Sequence, residues 1–488
     1  MKKIVSIVLL LFNVVSFSQN LKVDENLNFS NIGSYEIDGT FFSVLNVKNS
    51  KTKQYEYLIY VLKDSVSDYV GKFESDTQQD LELFHKSNNN LVFVFSTKKR
   101  LSPKSVPNRN ALYSVKLKDY KLLSVNLTNR EVNVEKLDLE VPTQKFSSKD
   151  YSCFVYIDKE KVKIVTLKDY KQKEESETVL PDEIVKFYIK TKFEELIVVS
   201  NKTYSENIGA PGNRLFYNDD NIYMTYLNPK IRRSLILKFT RNENTFTWSG
   251  YNELAFGFDK KVKDYNSFLT RNRFYFIAEK GNEVLLSTVD LKNNTIKKYN
   301  LNELAGKDTI DKKMLNKVIL GFGYLNQVPS LTVYKQKDSD NEIVSISYIS
   351  KSTYYYDPFF HMQFQQQMMI QHQQMMQQTI RASIPGGFNI VSFPYPFFND
   401  AAANKTLKFI IHPDEGVTGY NGEKFELNEI DHSKDVNLLK KYLDDKIDKF
   451  QIKYMSFERL KNEDLYYAYY NKRKDEMVFG ILKKEKSN

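Results

Sequence analysis

Leu122-Leu123-Ser124-Val125-Asn126-Leu127-Thr128-Asn129-Arg130-Glu131-Val132 and Leu285-Leu286-Ser287-Thr288-Val289-Asp290-Leu291-Lys292-Asn293-Asn294-Thr295-Ile296 are two versions of one pattern. Each reads as a strand, a polar tip and a second strand, and each runs on to an apolar residue, Leu137 or Leu301. Looser copies surround Val47, Leu167 and Phe239. Val47, Leu127 and Leu167 fall on a period of about 40 residues, and the interval from Leu127 to Leu291 is roughly four such periods, which suits a propeller blade. A four-stranded blade cannot bury both its faces alone, whereas blades stacked around an axis bury them and leave short edges.

The rest of the chain extends this pattern. Tyr (33) and Phe (34) are abundant and Trp is single, and aromatic and β-branched residues favour strands. Short apolar runs such as Phe41 to Val47, Leu91 to Phe95, Val162 to Leu167 and Phe274 to Ala278 alternate with tips such as Asn88-Asn89-Asn90 and Asp219-Asp220-Asn221. Many short antiparallel strands joined by hairpins are expected. The fold class expected is therefore mainly β, antiparallel and propeller-like, over residues 19–350; tandem β-sandwich domains are the competing arrangement.

The first residues give an address. Met1-Lys2-Lys3 is a basic start, Ile4 to Val15 an apolar run, and Ser16-Phe17-Ser18 places small residues before a cleavage point at Gln19. This is the layout of a secretory signal peptide over 1–18. The apolar run is short for a bilayer span. A soluble, exported protein, periplasmic or extracellular and without a transmembrane anchor after cleavage, is expected. The single cysteine, Cys153, is far from the position an acylated cysteine would occupy, so a lipoprotein is not expected. One cysteine forms no internal disulfide, and its neighbours Phe154 to Ile157 mark it as a buried small hydrophobe. With 71 Lys and Arg against 61 Asp and Glu, the net charge is +10. That modest excess reads as solvated strand faces rather than a nucleic-acid surface.

The pattern changes after Ser350. Residues 351–403 hold a Met/Gln tract, His361 to Gln378, then Pro385-Gly386-Gly387 and the Pro/aromatic run Phe393 to Phe398. This low-complexity stretch reads as an insertion. Strand-like sequence returns at Leu407, and residues 404–488 are expected to complete the β body. Within them Val436, Leu439, Leu443, Ile447 and Phe450 recur at helical spacing behind Ser433, a candidate cap, which predicts one amphipathic helix packed on the sheets.

No linear catalytic motif is present: Gly-x-Ser-x-Gly, His-Glu-x-x-His and the P-loop are all missing. Asp338-Ser339-Asp340-Asn341-Glu342 starts like a calcium loop but has Ile343 where the glycine belongs and Ile349 where the acidic ligand belongs, so it reads as a hairpin tip. His412-Pro413-Asp414-Glu415-Gly416 has the composition of a turn. Met368, His372 and Met375 would share one face of a helix, and thioether with imidazole suits Cu(I). The tract resembles the Met-rich stretches of exported copper-handling proteins, and that resemblance implies Cu(I) bound by these three residues. The plain alternative is a Gln-rich insertion without a metal or cofactor.

The function expected is that of an exported, non-catalytic binding or scaffold protein, its partner a cell-surface polysaccharide or an envelope protein. Two alternatives stand beside it. One is a propeller-type hydrolase or lyase acting on glycans, whose polar residues would converge from several blades without any linear motif. The other is copper handling through the Met/His insertion.

Overall fold

The computed structural model describes residues 17–63, 66–100, 115–350 with short interruptions, and 406–483 with wider ones. Nearly all of it is antiparallel sheet. Strand β1 is Phe17–Lys22. Blade 1 is β2 (Leu27–Ile37), β3 (Thr40–Asn49), β4 (Tyr55–Lys63) and β5 (Val66–Ser75). Blade 2 is β6 (Gln79–Ser87), β7 (Asn90–Arg100), β8 (Val115–Asn126) and β9 (Val132–Leu137). Blade 3 is β10 (Gln144–Ser147), β11 (Ser152–Ile157), β12 (Lys161–Asp169) and β13 (Gln172–Val179). Helix α1 (Asp182–Thr191), β14 (Leu196–Val199) and β15 (Thr203–Tyr204) follow.

Blade 4 is β16 (Asn213–Tyr217), β17 (Asn221–Asn228), β18 (Arg233–Asn242) and β19 (Thr245–Ala255), with β14 added beside β16. Blade 5 is β20 (Asp264–Leu269), β21 (Arg273–Lys280), β22 (Glu283–Asp290) and β23 (Ile296–Asn300). Helices α2 (Leu301–Gly306) and α3 (Lys312–Phe322) lead to blade 6: β24 (Gln327–Lys335), β25 (Glu342–Ser350), β26 (Leu407–His412) and β27 (Gly416–Gly419). After β28 (Asn428–Glu429), blade 7 is β29 (Ile452–Arg459), β30 (Leu465–Asn471) and β31 (Glu476–Leu482), completed by β1 as its outer strand.

These seven sheets stack as the blades of a β-propeller. Each blade starts at its inner strand, and neighbouring inner strands touch, as β2 does β29 and β20 does β24. The core is a series of apolar layers between blades. Phe42, Phe84 and Phe93 fill the first with edge-on rings between blades 1 and 2. Such ring pairs add about 0.5–1.5 kcal/mol beyond their burial. Tyr120, Phe154 and Val165 join blades 2 and 3, Cys153 and Met224 lie in the layer of blades 3 and 4, and Phe268, Leu331 and Phe409 join blades 5 and 6. Phe41, Leu45, Tyr466 and Phe479 lock blade 7 to blade 1.

The two quoted sequence stretches are the outer hairpins of blades 2 and 5. Their likeness has a physical cause in the tip. Asn126 Oδ1 accepts from the Thr128 and Asn129 N–H groups at 2.9 and 3.1 Å, and Asp290 Oδ1 from Lys292 and Asn293 at 2.8 and 3.4 Å, an Asx turn in each case. The hairpins are three blades apart, so the 40-residue period is corrected. It holds from Leu127 to Leu167, but α1, β14 and β15 lengthen the next repeat. Val47 lies on a second strand, β3, and is not equivalent to Leu167 on the third strand, β12.

Among the described residues helices α1, α2 and α3 join blades, where periodicity pointed only to a helix at 436–450. At the two positions described there, Leu439 and Tyr442, the chain is helical, and Leu439 is buried against blade 7. Helix α2 starts on Asn300, whose side chain accepts from the Asn302 and Glu303 N–H groups, a cap worth about 1 kcal/mol. Strand β1 begins two residues before the expected cleavage point; cleavage after Ser18 leaves Gln19–Lys22 opposite Phe479 to Glu476. Gln19 Oε1 also accepts from the Ser67 N–H at 2.7 Å. Among the described residues no helix is long and apolar enough to cross a membrane.

Candidate functional site

Chain direction decides what each end of the ring carries. Strands alternate in direction within a blade, and every blade begins at the axis. All connections between blades, and all those between second and third strands, therefore emerge at one end. That end carries α1, α2 and α3, and there β25 gives way to the residues leading to β26. The opposite end carries short tips such as Asp38-Gly39, with Asp38 at φ 48° and Gly39 at φ 72°.

Two of the connections between blades carry strands of their own. Strand β14 runs parallel to β16 on its axial side, from Leu196 opposite Asn213 to Val199 opposite Phe216. Gln144 of blade 3 donates its side-chain N–H to the Leu196 carbonyl at 2.6 Å. Strand β15 pairs in parallel with β28, Thr203 opposite Asn428 and Tyr204 opposite Glu429. The first strand belongs to the connection between blades 3 and 4, the second to that between blades 6 and 7. The pair thus straps together connections from opposite sides of the ring.

The inner strands carry polar side chains that face one another across blade boundaries. Glu82 of β6 receives Lys145 Nζ of β10 at 2.5 Å, with side-chain exposures of 0% and 6%. The Ser96 hydroxyl donates to the other Glu82 oxygen. Glu82 stands unopposed in a β-bulge, because Leu81 pairs with Phe95 and Leu83 with Val94. Fully buried Arg214 of β16 donates to the Ser267 carbonyl and to Asn266 Oδ1, and its guanidinium lies 5.8 Å from the Phe268 ring centre. Asn266 in turn donates to the Pro329 carbonyl of blade 6 at 2.9 Å. These groups pin the inner strands across three blade boundaries, 2 to 3, 4 to 5 and 5 to 6, through hydrogen bonds and charge.

At the short-tip end, Glu342 of blade 6 accepts from Arg273 at 2.6 Å, from the Thr270 hydroxyl at 2.7 Å and from the Tyr275 hydroxyl of blade 5. Burial, followed by the neighbouring Glu342 carboxylate, pushes the Tyr275 phenol well above its ordinary value. Asp150 receives Arg241 at 3.0 Å, and the guanidinium lies 4.5 Å from the Tyr151 ring centre. These clusters again tie blade to blade.

Both described histidines, the buried His85 and the His412 of the turn-like stretch, have hydrogen-bond partners, whereas Asp414 and Glu415 lie outside the described residues. His85 is buried, with Nδ1 2.9 Å from the Ser152 hydroxyl and Nε2 2.8 Å from the Lys168 carbonyl. His412 has Nδ1 3.0 Å from Asn341 Oδ1 and Nε2 2.8 Å from the Thr418 hydroxyl. Residues 338–341 lie in the hairpin tip between β24 and β25, with Asp340 bound to Lys335 at 3.0 Å, and Glu342 opens β25. Cys153 is buried, and burial pushes its thiol up to about 12. Met368, His372 and Met375 lie outside the described residues. Among the described residues no group of His, Cys, Asp and Glu could hold a metal ion.

No protein-family model matches the sequence, and no curated protein does. Solved structures give low-level likenesses. Prolyl oligopeptidase B from Galerina marginata matches at 10% identity and a TM-score of 0.30, covering 67% of this chain and 42% of that one. The GH43_1 enzyme from Xanthomonas citri matches at 10% identity and TM-score 0.20, covering 60% and 92%. The NanB sialidase from Streptococcus pneumoniae matches at 8% identity and TM-score 0.23, covering 95% and 70%. At these scores the likenesses carry no argument about activity.

Proposed function

We propose that the protein is an exported, non-catalytic binding or scaffold propeller of the cell envelope, its partner a cell-surface polysaccharide or an envelope protein. The observation that supports this reading is the use made of the inner-strand polar groups. Glu82, Lys145, Arg214 and Asn266 are buried and bonded across blade boundaries. A catalytic funnel would need such groups turned toward a substrate with split proton affinities. Export rests on the sequence of residues 1–18, and Cu(I) binding by Met368, His372 and Met375 stays a sequence-based expectation.

The test is turnover against retention. Purified residues 19–488 are incubated with neutral and acidic polysaccharides, chromogenic glycosides and peptide anilides. The expected result is no released product, with one or more polysaccharides slowing the protein in affinity electrophoresis. Product release that tracks the purified chain and disappears on substitution of an axial residue would overturn the reading in favour of a glycan hydrolase, lyase or peptidase.

A further inference from the structure

The outer strands of blades 1 and 4 share a feature that the blade repeat does not require. In β5, Tyr69 pairs with Tyr60 and Gly71 with Ile59, leaving Val70 unopposed. In β19, Trp248 pairs with Phe239 and Gly250 with Lys238, leaving Ser249 unopposed. Both are bulges of the form aromatic-x-Gly at the same register. In both, the bulge ring meets its partner edge-on, at 5.6 Å for Tyr69 with Tyr60 and 5.3 Å for Trp248 with Phe239. The glycines answer different needs. Gly250 has φ +118°, whereas a Cβ on Gly71 would come 2.7 Å from Val132.

The bulge changes which side chains share a face. In a regular strand, residues three apart point to opposite sides. The extra residue in β19 brings Tyr251 to the side of Trp248, and their ring centres lie 6.4 Å apart with planes 30° from parallel. Tyr251 is 39% exposed. Two residues on, Glu253 on the same side binds Arg233 at 2.9 Å, both side chains being open to solvent. Trp248, partly buried with one side packed on the core between blades 3 and 4, and the exposed Tyr251, tilted 30° to it, stand beside a carboxylate and a guanidinium. Bulges re-aim side chains at sheet edges and are features of a fold rather than defects. Tyr and Trp combine apolar area with low conformational entropy cost, which suits recognition.

We propose that the β19 bulge is a saccharide-binding platform, on which sugar rings of a glycan chain stack against Trp248 and Tyr251 while Arg233 and Glu253 hydrogen-bond their hydroxyls. The apolar C–H face of a pyranose matches the ring faces, and its rim of hydroxyls matches a paired donor and acceptor. This assignment rests on the binding reading above and narrows its partner to a glycan. The β5 bulge, with Tyr69 followed by Lys72 and Glu74 in ion-pair contact, is the same device with one ring.

Trp248 is the single tryptophan, so it reports on its own site. The mature chain is titrated with cellohexaose, xylohexaose, laminarihexaose and polygalacturonate while Trp emission is followed, and binding is measured in parallel by affinity electrophoresis. A saturable emission change with at least one glycan is expected. Tyr251→Ala should weaken that binding about tenfold, equivalent to about 1.4 kcal/mol, Tyr251→Phe should retain it, and Tyr69→Ala should leave the Trp titration unchanged. An unaltered thermal midpoint in Tyr251→Ala excludes misfolding. Retardation by a glycan without a Trp response, or with full affinity in Tyr251→Ala, overturns the platform and leaves the binding reading standing. No retardation and no emission change with any of the four also overturns the platform. Depolymerisation of a glycan by the chain would overturn the parent reading instead.

Discussion

Replacing Lys145 with methionine tests whether blades 2 and 3 are joined by a buried charge pair. Lys145 Nζ and Glu82 Oε2 are 2.5 Å apart, with their side chains 6% and 0% exposed. Among the described residues, Lys145→Met leaves the Glu82 carboxylate with the Ser96 hydroxyl. Removing one partner of such a pair costs about 3–5 kcal/mol, because the other charge stays in a low-dielectric site. That is roughly a hundredfold to a few thousandfold in the folding equilibrium. Replacing both, as Glu82→Met with Lys145→Met, removes the desolvated charges together and should restore most of the loss. Urea unfolding followed by circular dichroism reads the midpoints, with unchanged slopes showing that the same surface is exposed. A single variant costing less than about 1 kcal/mol would show that the pair is wet and the blades less tightly docked. A double variant as unstable as the single one would refute the pairwise argument.

Other expectations follow from other parts of the molecule. Strands β25 and β26 pair directly, Glu342 with Ile411 through Ile346 with Leu407, so replacing residues 363–378 by a short Gly/Ser linker should leave the thermal midpoint nearly unchanged. Loop closure costs only about 0.6 kcal/mol per doubling of length. If the tract handles copper, that deletion and a Met368/His372/Met375 triple alanine variant should both lose Cu(I) in competition titrations; an intact chain that binds none eliminates copper handling. Cys153, with its thiol raised to about 12 by burial, should resist alkylation at pH 8 in the native state and react fully in denaturant. Labelling of the native protein would contradict its burial. Asp219 titrates below the ordinary carboxylate range: burial raises it, but bonds from Ser148 and Lys149 and the charge of Arg241 outweigh that. Its contribution is complete above the unfolded value, about pH 4, and is lost as pH falls below it. Asp219→Asn should therefore flatten that part of the acid-unfolding curve, and an unchanged curve would dismiss the cluster's role. N-terminal sequencing of the exported protein should begin at Gln19.

The strands were legible because their aromatic and β-branched runs are short and their tips are chemically explicit. Asn126 and Asp290 make the same turn, so two hairpins far apart in sequence look alike. The blade spacing was less legible, since α1, β14 and β15 interrupt it with residues that resemble another hairpin. Helix α3 has a buried stripe of Leu315 and Val318 but also an exposed Leu320, which blurs its periodicity among neighbouring strands. The aromatic-x-Gly bulge was not readable at all. Tyr69-Val70-Gly71 and Trp248-Ser249-Gly250 are ordinary tripeptides until strand register shows that Val70 and Ser249 have no opposite partner.

The closing strand sets the order in which the ring can form. Leu21 pairs with Met477 and Gln19 with Phe479, so a segment made before blades 1 to 6 waits for one made after them. Blades 1 to 5 consist of strands near in sequence and can assemble as the chain emerges, while blade 6 must bring β26 back to β25 across residues 351–406. Blade 7 alone needs a contact spanning nearly the full length, the slowest kind to form. Until it forms, β31 offers an open edge and the ring is a curved stack with two ends. A chain halted before Glu476 leaves β1 without a partner strand and β30 paired on one side only, with β29, which makes the final hairpin the step that closes the ring.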